Sequence, residues 1–177
     1  MGLSRRLSHR ISEGDGIAII VRVNDAEAAR TAEEQGAKAL AVDRSVEGLR
    51  ASTTLPVLCL EGADPLEADA VAIRPGGVGA DGLEIVVEVR DEDELEEALE
   101  ALDPEIVLIS PHDADEVDAL ALALELLPDV PAGKLAIADV AARDRAEVLE
   151  LERAGFDAVL VAPGHVEALV GAAHPDV

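Results

Sequence analysis

The sequence predicts an α/β fold of the (βα)8, TIM-barrel-like class, reduced in size. Eight short apolar runs recur along the 177 residues. Several of them are continuous rather than alternating, which is typical of parallel strands that are covered on both faces. Segments with helical spacing alternate with most of the runs, and this order implies parallel pairing through right-handed crossovers. A doubly wound open parallel sheet is the alternative that the same pattern allows.

The predicted strands consist mainly of small and branched apolar residues. Apolar residues make up 49% of the chain, and Phe156 is its only aromatic residue. A core of this kind suits buried parallel strands, and it argues against modules that stack single-stranded nucleic acid on aromatic side chains. The eight predicted strands are residues 17–23, 39–42, 57–60, 70–73, 84–89, 105–109, 135–138 and 158–161.

Helices are predicted between most of these strands from apolar spacing, capping residues and helix breakers. Asp25 and Asp91 stand where N-caps are expected, and Gly36 and Gly155 follow the last helical positions of two segments. The predicted helices are residues 26–35, 45–51, 92–102, 115–127, 144–154 and 165–172.

Two connections are too short for a full crossover helix. Residues 62–69 include Pro65, and residues 74–83 hold four glycines and a proline, whereas a parallel pair usually needs about a dozen residues to return. The sequence therefore predicts that crossover helices 3 and 4 are missing or very short. The thin side of the helical ring is a candidate surface for a homo-oligomer. The predicted domain is a single barrel of residues 1–177, with residues 1–15 as an N-terminal extension.

The charge of the chain restricts its partners. Its 38 acidic and 14 basic residues give a net charge of −24, which repels nucleic acid and anionic membranes. Only two of the basic residues, Lys38 and Lys134, are lysine. High acidity with scarce lysine is typical of a salt-adapted, halophilic cytoplasm, because salt screens the repulsion among the acids. Base-composition bias is the alternative explanation.

The remaining composition predicts a cytoplasmic protein. The single cysteine, Cys59, supplies neither a disulfide framework nor a cysteine metal cluster. No apolar run has the length of a membrane span, and the polar, basic residues 1–10 lack the apolar centre of a secretory signal. The acidic residues between 113 and 118 fit the first turn of a helix better than a metal site, so neither a metal nor a cofactor is expected.

Glu88 is the candidate catalytic residue. It stands near the end of the predicted strand 84–89, directly before the acidic residues 91–94 that open a helix. Barrel enzymes place their chemistry at the carboxyl ends of the strands, so a carboxylate at this point is a candidate general acid or base.

Basic residues also follow several of the predicted strands. In a barrel they would surround one opening, where a cluster of positive charge can hold a small anion. Pairing with adjacent acids is the alternative, for example Arg90 with Glu88 or Asp91, and Arg44 with Asp43. Gly164 follows the last strand and could present a backbone N–H to phosphate. The predicted anion-binding residues are Arg22, Arg74, Arg90, His112 and Gly164.

Three stretches resemble the indole-3-glycerol phosphate synthase family, which consists of (βα)8-barrel lyases of tryptophan biosynthesis. Residues 86–95 are similar to the fifth strand of that family and the acidic helix start after it. Residues 106–113 resemble the sixth strand, and residues 154–161 resemble the eighth strand with the helix end before it. The resemblance implies a barrel fold and implies that Glu88 matches a catalytic carboxylate of the family.

The resemblance also implies that other catalytic groups are missing. Ile19 and Val21 stand where the first strand of the family has Glu and Lys, and Leu60 stands where the third strand has the catalytic lysine. Closing an indole ring with loss of carbon dioxide and water needs a cation for the carboxylate and an acid for the hydroxyl, and aliphatic side chains supply neither. Pro163 removes a backbone donor from the phosphate-binding loop of the family.

The sequence therefore predicts a degenerate barrel without lyase activity, with a small anionic or phosphorylated ligand at the carboxyl ends of the strands. The alternative is an active or altered carboxy-lyase of the tryptophan biosynthesis type that uses Glu88.

Overall fold

Eight parallel strands form a closed barrel in the order β1 to β8. The computed structural model describes residues 6–13, 16–61, 63–64, 67–111, 116–164, 166 and 169. Closure of the sheet confirms the predicted barrel and rules out the alternative of an open, doubly wound sheet. The strands are β1 (Ala18–Arg22), β2 (Ala39–Val42), β3 (Val57–Cys59), β4 (Ala70–Ile73), β5 (Glu84–Val89), β6 (Ile106–Ile109), β7 (Leu135–Asp139) and β8 (Ala158–Val161).

The first and last strands close the barrel by pairing with each other. Ala18 lies opposite Ala158, and Val21 lies opposite Val161. All eight neighbouring pairs are parallel, so the carboxyl ends of the strands meet at one end of the barrel. We call that end the mouth and the opposite end the floor.

Three of the longer helices begin at an aspartate that caps the first turn. The carboxylates of Asp25, Asp91 and Asp144 each accept a hydrogen bond from the backbone N–H three residues later, at 2.6, 2.9 and 2.9 Å, which satisfies a donor that the helix leaves unpaired. The helices are α1 (Leu7–Ser12), α2 (Ala26–Glu34), α3 (Leu49–Ser52), α4 (Glu92–Ala101), α5 (Glu116–Leu126) and α6 (Arg145–Ala154), with a 3-10 turn at Leu127–Asp129.

One predicted helix was placed too early. The sequence predicts a helix at residues 45–51, whereas α3 begins at Leu49. Gly48 precedes it with φ 73°, a left-handed conformation that glycine adopts at little cost and that separates the helix from the turn before it. The predicted helix at residues 165–172 lies largely outside the described residues.

The helical ring is thin on one side, as predicted. Within the described residues, no α-helix lies between β3 and β4 or between β4 and β5. Loop residues 74–83 lie beside β5 instead, where Gly79 packs closely against Ile85. The cover is incomplete, because Ile85 on the outer face of β5 is 39% exposed.

Two apolar clusters lie on the two sides of the barrel wall. The outer cluster joins alternate strand residues, such as Val21 and Val87, to helix residues such as Leu95 and Leu151. The inner cluster fills the barrel with the other strand residues, such as Ile20 and Leu58. Successive strand residues point to opposite faces, so this division fixes which side chains point inward.

The floor is closed by α1, which the sequence assigned to an N-terminal extension. Leu7 and Ile11 point into the inner cluster and are 0% and 3% exposed. Glu84, at the start of β5, accepts hydrogen bonds from the backbone N–H and the hydroxyl of Ser8. Arg6 adds an ion pair to the same carboxylate at 3.6 Å. The segment is therefore part of the barrel core.

The helices of the described part of the chain are all too short or too polar to cross a lipid bilayer.

Candidate functional site

A cavity of about 270 Å³ opens at the mouth of the barrel. It is slightly smaller than the range of roughly 300–1,000 Å³ that is usual for ligand pockets, so it suits a small ligand. We call it the mouth cavity. Its lining residues are Arg22, Asp43, Leu60, Glu61, Glu88, Arg90, Leu108 and Asp139.

Glu88 points into the mouth cavity from β5. It shares the inner face of that strand with Val86, and it is only 7% exposed. The strand ends one residue later, and Asp91 then caps α4. The prediction that Glu88 lies near the carboxyl end of a strand agrees with this position.

Arg22 enters the mouth cavity from the end of β1 and is paired with an acid there. Its guanidinium lies 3.3 Å from Asp139 Oδ2, at the end of β7. The hydroxyl of Ser110 donates to the same oxygen at 2.8 Å. Asp139 therefore links β1, β6 and β7 at the mouth, and it neutralises part of the charge of Arg22.

Arg74 is directed toward α4 and is absent from the lining of the mouth cavity. Its guanidinium forms an ion pair with Glu94 in the first turn of α4. The backbone N–H of Arg90 donates to the other oxygen of Glu94 at 2.7 Å. Arg74 NH1 is buried and has no hydrogen-bond partner among the described residues, so one donor near the mouth is unsatisfied.

The other strand-end arginines differ in their surroundings. Arg44 pairs with Asp43 at 3.0 Å, as the alternative interpretation of these residues expected. Arg90 lines the mouth cavity, and it forms no ion pair with another residue of the described part of the chain. The expected pair of Arg90 with Glu88 or Asp91 is thus not formed.

Gly164 is not brought to the mouth cavity, and His112 cannot be placed because it is not among the described residues. Gly164 has φ 107° and lines a separate surface cavity beside α2, together with Pro163 and Val166. His112 lies outside the described residues, as does His165. The structure therefore brings together Arg22, Arg90 and Glu88 from the predicted set.

Leu60 occupies the mouth as the resemblance implies, but the residues matched on the first strand do not. Leu60 belongs to the inner cluster and lines the mouth cavity. Ile19 and Val21 belong to the outer cluster and face the helices. The inward positions of β1 are Ile20 and Arg22. The match on that strand was therefore wrong by one residue, and neither inward position is a lysine.

Both lysines of the chain lie at the floor. Lys38 directly precedes β2, and its backbone N–H donates to Ile19 O at 2.9 Å. Lys134 directly precedes β7, and its ammonium lies 2.6 Å from Asp103 Oδ1. Because the chain contains no other lysine, no lysine ammonium is available at the mouth.

Cys59 faces outward, away from the barrel interior. It lies on β3 between the inward residues Leu58 and Leu60, and its Sγ lies 3.3 Å from Ala63 O. Burial, with a smaller contribution from the charge of Asp64, raises the pKa of the thiol. The thiol is thus protonated at neutral pH and unsuited to nucleophilic chemistry.

Sequence reasoning missed several polar residues of the mouth. Asp43, Ser110 and Asp139 each lie two positions beyond an inward apolar residue, the spacing that keeps a side chain on the same face of a strand. Strand alternation counted from Ala41, Leu108 or Ile137 would have found them. Glu61 follows Leu60 in the loop after β3, where no such pattern applies.

The mouth cavity is lined by charges of both signs. Four carboxylates and two guanidinium groups line it, and the acids outnumber the arginines. Within the described residues, no group of three or more histidine, cysteine, aspartate or glutamate side chains is arranged to hold a metal ion. The arrangement can bind a small polar molecule through ion pairs, and it can supply one buried carboxylate, Glu88, for proton transfer.

Comparison with known proteins finds relatives over part of the chain. The protein is 32% identical over 80 residues to the indole-3-glycerol phosphate synthase of Campylobacter fetus subsp. fetus, covering 45% of this chain and 31% of that protein. It is 34% identical over 84 residues to the indole-3-glycerol phosphate synthase of Pelodictyon phaeoclathratiforme, covering 47% of this chain and 32% of that protein. The matched segment spans about a third of each relative, and no family model matches the chain.

The partial matches, the closed barrel and the strand-end position of Glu88 agree with one another. The chain is a distant relative of the indole-3-glycerol phosphate synthase family.

Proposed function

We propose that this protein is a degenerate barrel that has lost lyase activity and binds a small anionic or phosphorylated ligand in the mouth cavity. The position of the lysines carries the first half of the proposal. Lys38 and Lys134 both lie at the floor, on the opposite side of the barrel from Glu88.

The mouth has no lysine ammonium that could act as a general acid in the lyase reaction. Decarboxylative ring closure needs a cation beside the departing carboxylate and an acid beside the departing hydroxyl. Each such general acid or base typically contributes about 10²–10⁴-fold to the rate. Arg22 and Arg90 can supply the cation, but a guanidinium group stays protonated in proteins and does not act as a general acid. Leu60 supplies no proton either, so Glu88 is the one buried carboxylate of the lining that is left for proton transfer.

Two arginines of the lining support binding of an anion, and a third lies near the mouth. Arg22 and Arg90 line the mouth cavity, and Arg90 is not paired with any described acid. Arg74 lies near the mouth and holds a buried NH1 without a hydrogen-bond partner in the described chain. Guanidinium groups bind phosphate and carboxylate through paired N–H donors, so these side chains are suited to a small anion.

The loss of lyase activity is tested by assaying purified protein for the fluorescence of indole-3-glycerol phosphate. We expect no product above the background of a mock purification from the same host. A Glu88→Gln variant serves as the matched control, because host contamination would give the same signal in both preparations. Turnover by the wild-type protein that Glu88→Gln abolishes would contradict the proposal.

Anion binding is tested by titrating inorganic phosphate into the protein and recording heat or NMR shifts. We expect Arg90→Glu to abolish binding and Arg74→Glu to weaken it, because each change replaces a donor with a repelling charge. Arg153→Glu, on the exposed last turn of α6, is the matched control. Equal phosphate binding by the Arg90→Glu and Arg153→Glu variants would contradict the proposed anion site.

A second candidate function is an altered carboxy-lyase that uses Glu88. The observation that favours it is the burial of Glu88 beside a cavity that can admit a substrate, since catalytic carboxylates are commonly placed in this way. A role in tryptophan biosynthesis would follow only from such activity. Conversion of a phosphorylated aryl amine by the wild-type protein but not by Glu88→Gln would establish it.

We also propose a salt-adapted cytoplasmic location. The net charge of −24 and the scarcity of lysine support it, because a surface of this kind is favoured where concentrated salt screens repulsion.

A further inference from the structure

The mouth cavity contains charges of both signs that are not neutralised by one another. Asp139 pairs with Arg22, and Asp43 pairs with Arg44. Two charged side chains of the lining, Glu61 and Arg90, form no ion pair with any residue that the structure describes.

Their positions separate the two charges across the cavity. Glu61 follows β3 and Arg90 follows β5, with β4 between them. Neighbouring strands lie about 4.8 Å apart, so side chains that leave strands two apart start about 10 Å from each other. The two side chains form no ion pair with each other, and a ligand of a few atoms with charged groups at both ends can contact both of them.

Glu88 adds a second carboxylate to the cavity. It lies on the inner face of β5, two residues before Arg90, and it is buried. Asp43 and Asp139 are already paired with Arg44 and Arg22, so Glu61 is the exposed carboxylate of the lining that can pair with a cationic group. An anion that carries no positive charge would leave Glu61 without an ion-pair partner in the described part of the chain.

We propose that the ligand of the mouth cavity is a small zwitterion. Its anionic group lies at Arg90, and its ammonium group lies at Glu61. This inference rests on the proposed anion site and specifies the ligand class for it. The cavity volume of about 270 Å³ limits the ligand to the size of a phosphorylated amino alcohol or an amino acid.

The test compares two phosphate compounds of nearly equal size. O-Phosphoethanolamine carries an ammonium group, and 2-hydroxyethyl phosphate carries a hydroxyl at the same place. We expect wild-type protein to bind O-phosphoethanolamine about tenfold more tightly in calorimetric titration, which corresponds to about 1.4 kcal/mol. Ethanolamine, which lacks the phosphate, should bind more weakly than O-phosphoethanolamine.

Variants assign the two ends of the ligand. Glu61→Gln should remove the preference for O-phosphoethanolamine and leave binding of 2-hydroxyethyl phosphate equal or tighter. Arg90→Gln should weaken binding of both compounds. Glu100→Gln, at the floor end of α4, is the matched control and should change neither. Glu61 and Arg90 are exposed, so their substitution should leave the barrel folded, as a thermal melt will verify.

Two results would overturn the inference, and they differ in their meaning for the anion site. Equal affinity of the wild-type protein for the two phosphate compounds would reject a zwitterion and leave the anion site intact. A preference that survives in Glu61→Gln would reject the assigned ammonium position. Failure of both phosphate compounds to bind would reject the anion site itself, and the zwitterion with it.

Discussion

The floor of this barrel is filled by apolar side chains, whereas its mouth is lined mainly by charged ones. At the floor, Leu7 and Ile11 of α1 fill the barrel, and the nearby acid Glu84 is fully engaged by Ser8 and Arg6. At the mouth, the apolar filling stops at Leu60 and Leu108, and charged residues line an open cavity.

The contrast indicates that side chains at the floor contribute mainly to stability, whereas those at the mouth are available to bind a ligand. Burial of apolar side chains at the floor contributes to folding without leaving groups that can bind a ligand. The mouth keeps charges such as Glu61 and Arg90 that contribute little to folding, because exposed charges are mainly solvated. In barrel enzymes the same division places chemistry at the carboxyl ends of the strands.

The largest effect should come from truncating Leu7, the buried side chain of α1 that helps to close the floor. Leu7→Ala takes a fully buried side chain out of the inner cluster, and such changes cost about 2–5 kcal/mol. Chemical denaturation should show this loss, while Leu102→Ala, at a side chain that is 38% exposed, should cost far less. Equal losses in the two variants would mean that α1 does not close the barrel.

Salt should raise the stability of the whole fold and weaken anion binding at the mouth. Two like charges about 10 Å apart in water repel by about 0.4 kcal/mol, and screening shortens the Debye length from about 10 Å at 0.1 M to about 3 Å at 1 M. With a net charge of −24, we expect the melting temperature to rise over this range of KCl. Phosphate binding at the mouth should weaken over the same range. A flat or falling melting temperature would remove the salt-adaptation hypothesis.

Loss of one hydrogen bond at the mouth should lower the free energy of unfolding by less than truncation of Leu7 at the floor. Ser110→Ala removes the hydroxyl that donates to Asp139 Oδ2 at 2.8 Å, and a typical hydrogen bond contributes about 0.5–1.5 kcal/mol. Ser45→Ala, at an exposed residue, is the matched control. A loss in Ser110→Ala as large as in Leu7→Ala would show that the mouth stabilises the fold as strongly as the floor.

The smallest effect should be a change in acid stability near the floor. Burial alone would raise the pKa of Glu33, but hydrogen bonds from Thr54 and Thr53 outweigh it and lower the pKa below 4.5. A lowered folded-state pKa means that this contribution is present above pH 4.5 and is lost as the pH falls through the folded value.

Glu33→Gln should therefore be less stable than the wild type at pH 7, by less than about 1 kcal/mol because the carboxylate is only partly buried. The difference should shrink as the pH falls below 4.5. Glu34→Gln, at the exposed neighbouring residue, should follow the wild-type curve. A constant difference at all pH values would show that the carboxylate charge plays no part.

The fold was largely predictable because apolar runs and breakers mark its elements directly. The bounds of β2, β4, β5 and β8 agree with prediction to the residue. Helix α1 was missed because it is a single short segment among basic residues. Its only signal is the spacing of Leu7 and Ile11, four residues apart, which puts both side chains on one face of a helix.

The site was predictable only in part, because strands that are apolar on both faces do not reveal which side faces inward. In β1 the four residues before Arg22 are all buried and apolar, so Ile19 and Val21 could not be told from Ile20 by composition. Arg74 forms an ion pair with Glu94 and does not line the mouth cavity. This pairing depends on where α4 begins relative to β4, which a single sequence does not specify.

The placement of Lys38 and Lys134 at one end has a practical consequence for handling the molecule. Reagents that couple to side-chain amines will attach this protein to a surface or a dye through its floor. A chip prepared in that way would present the mouth cavity toward the solution on every copy coupled through a lysine, without any engineered tag.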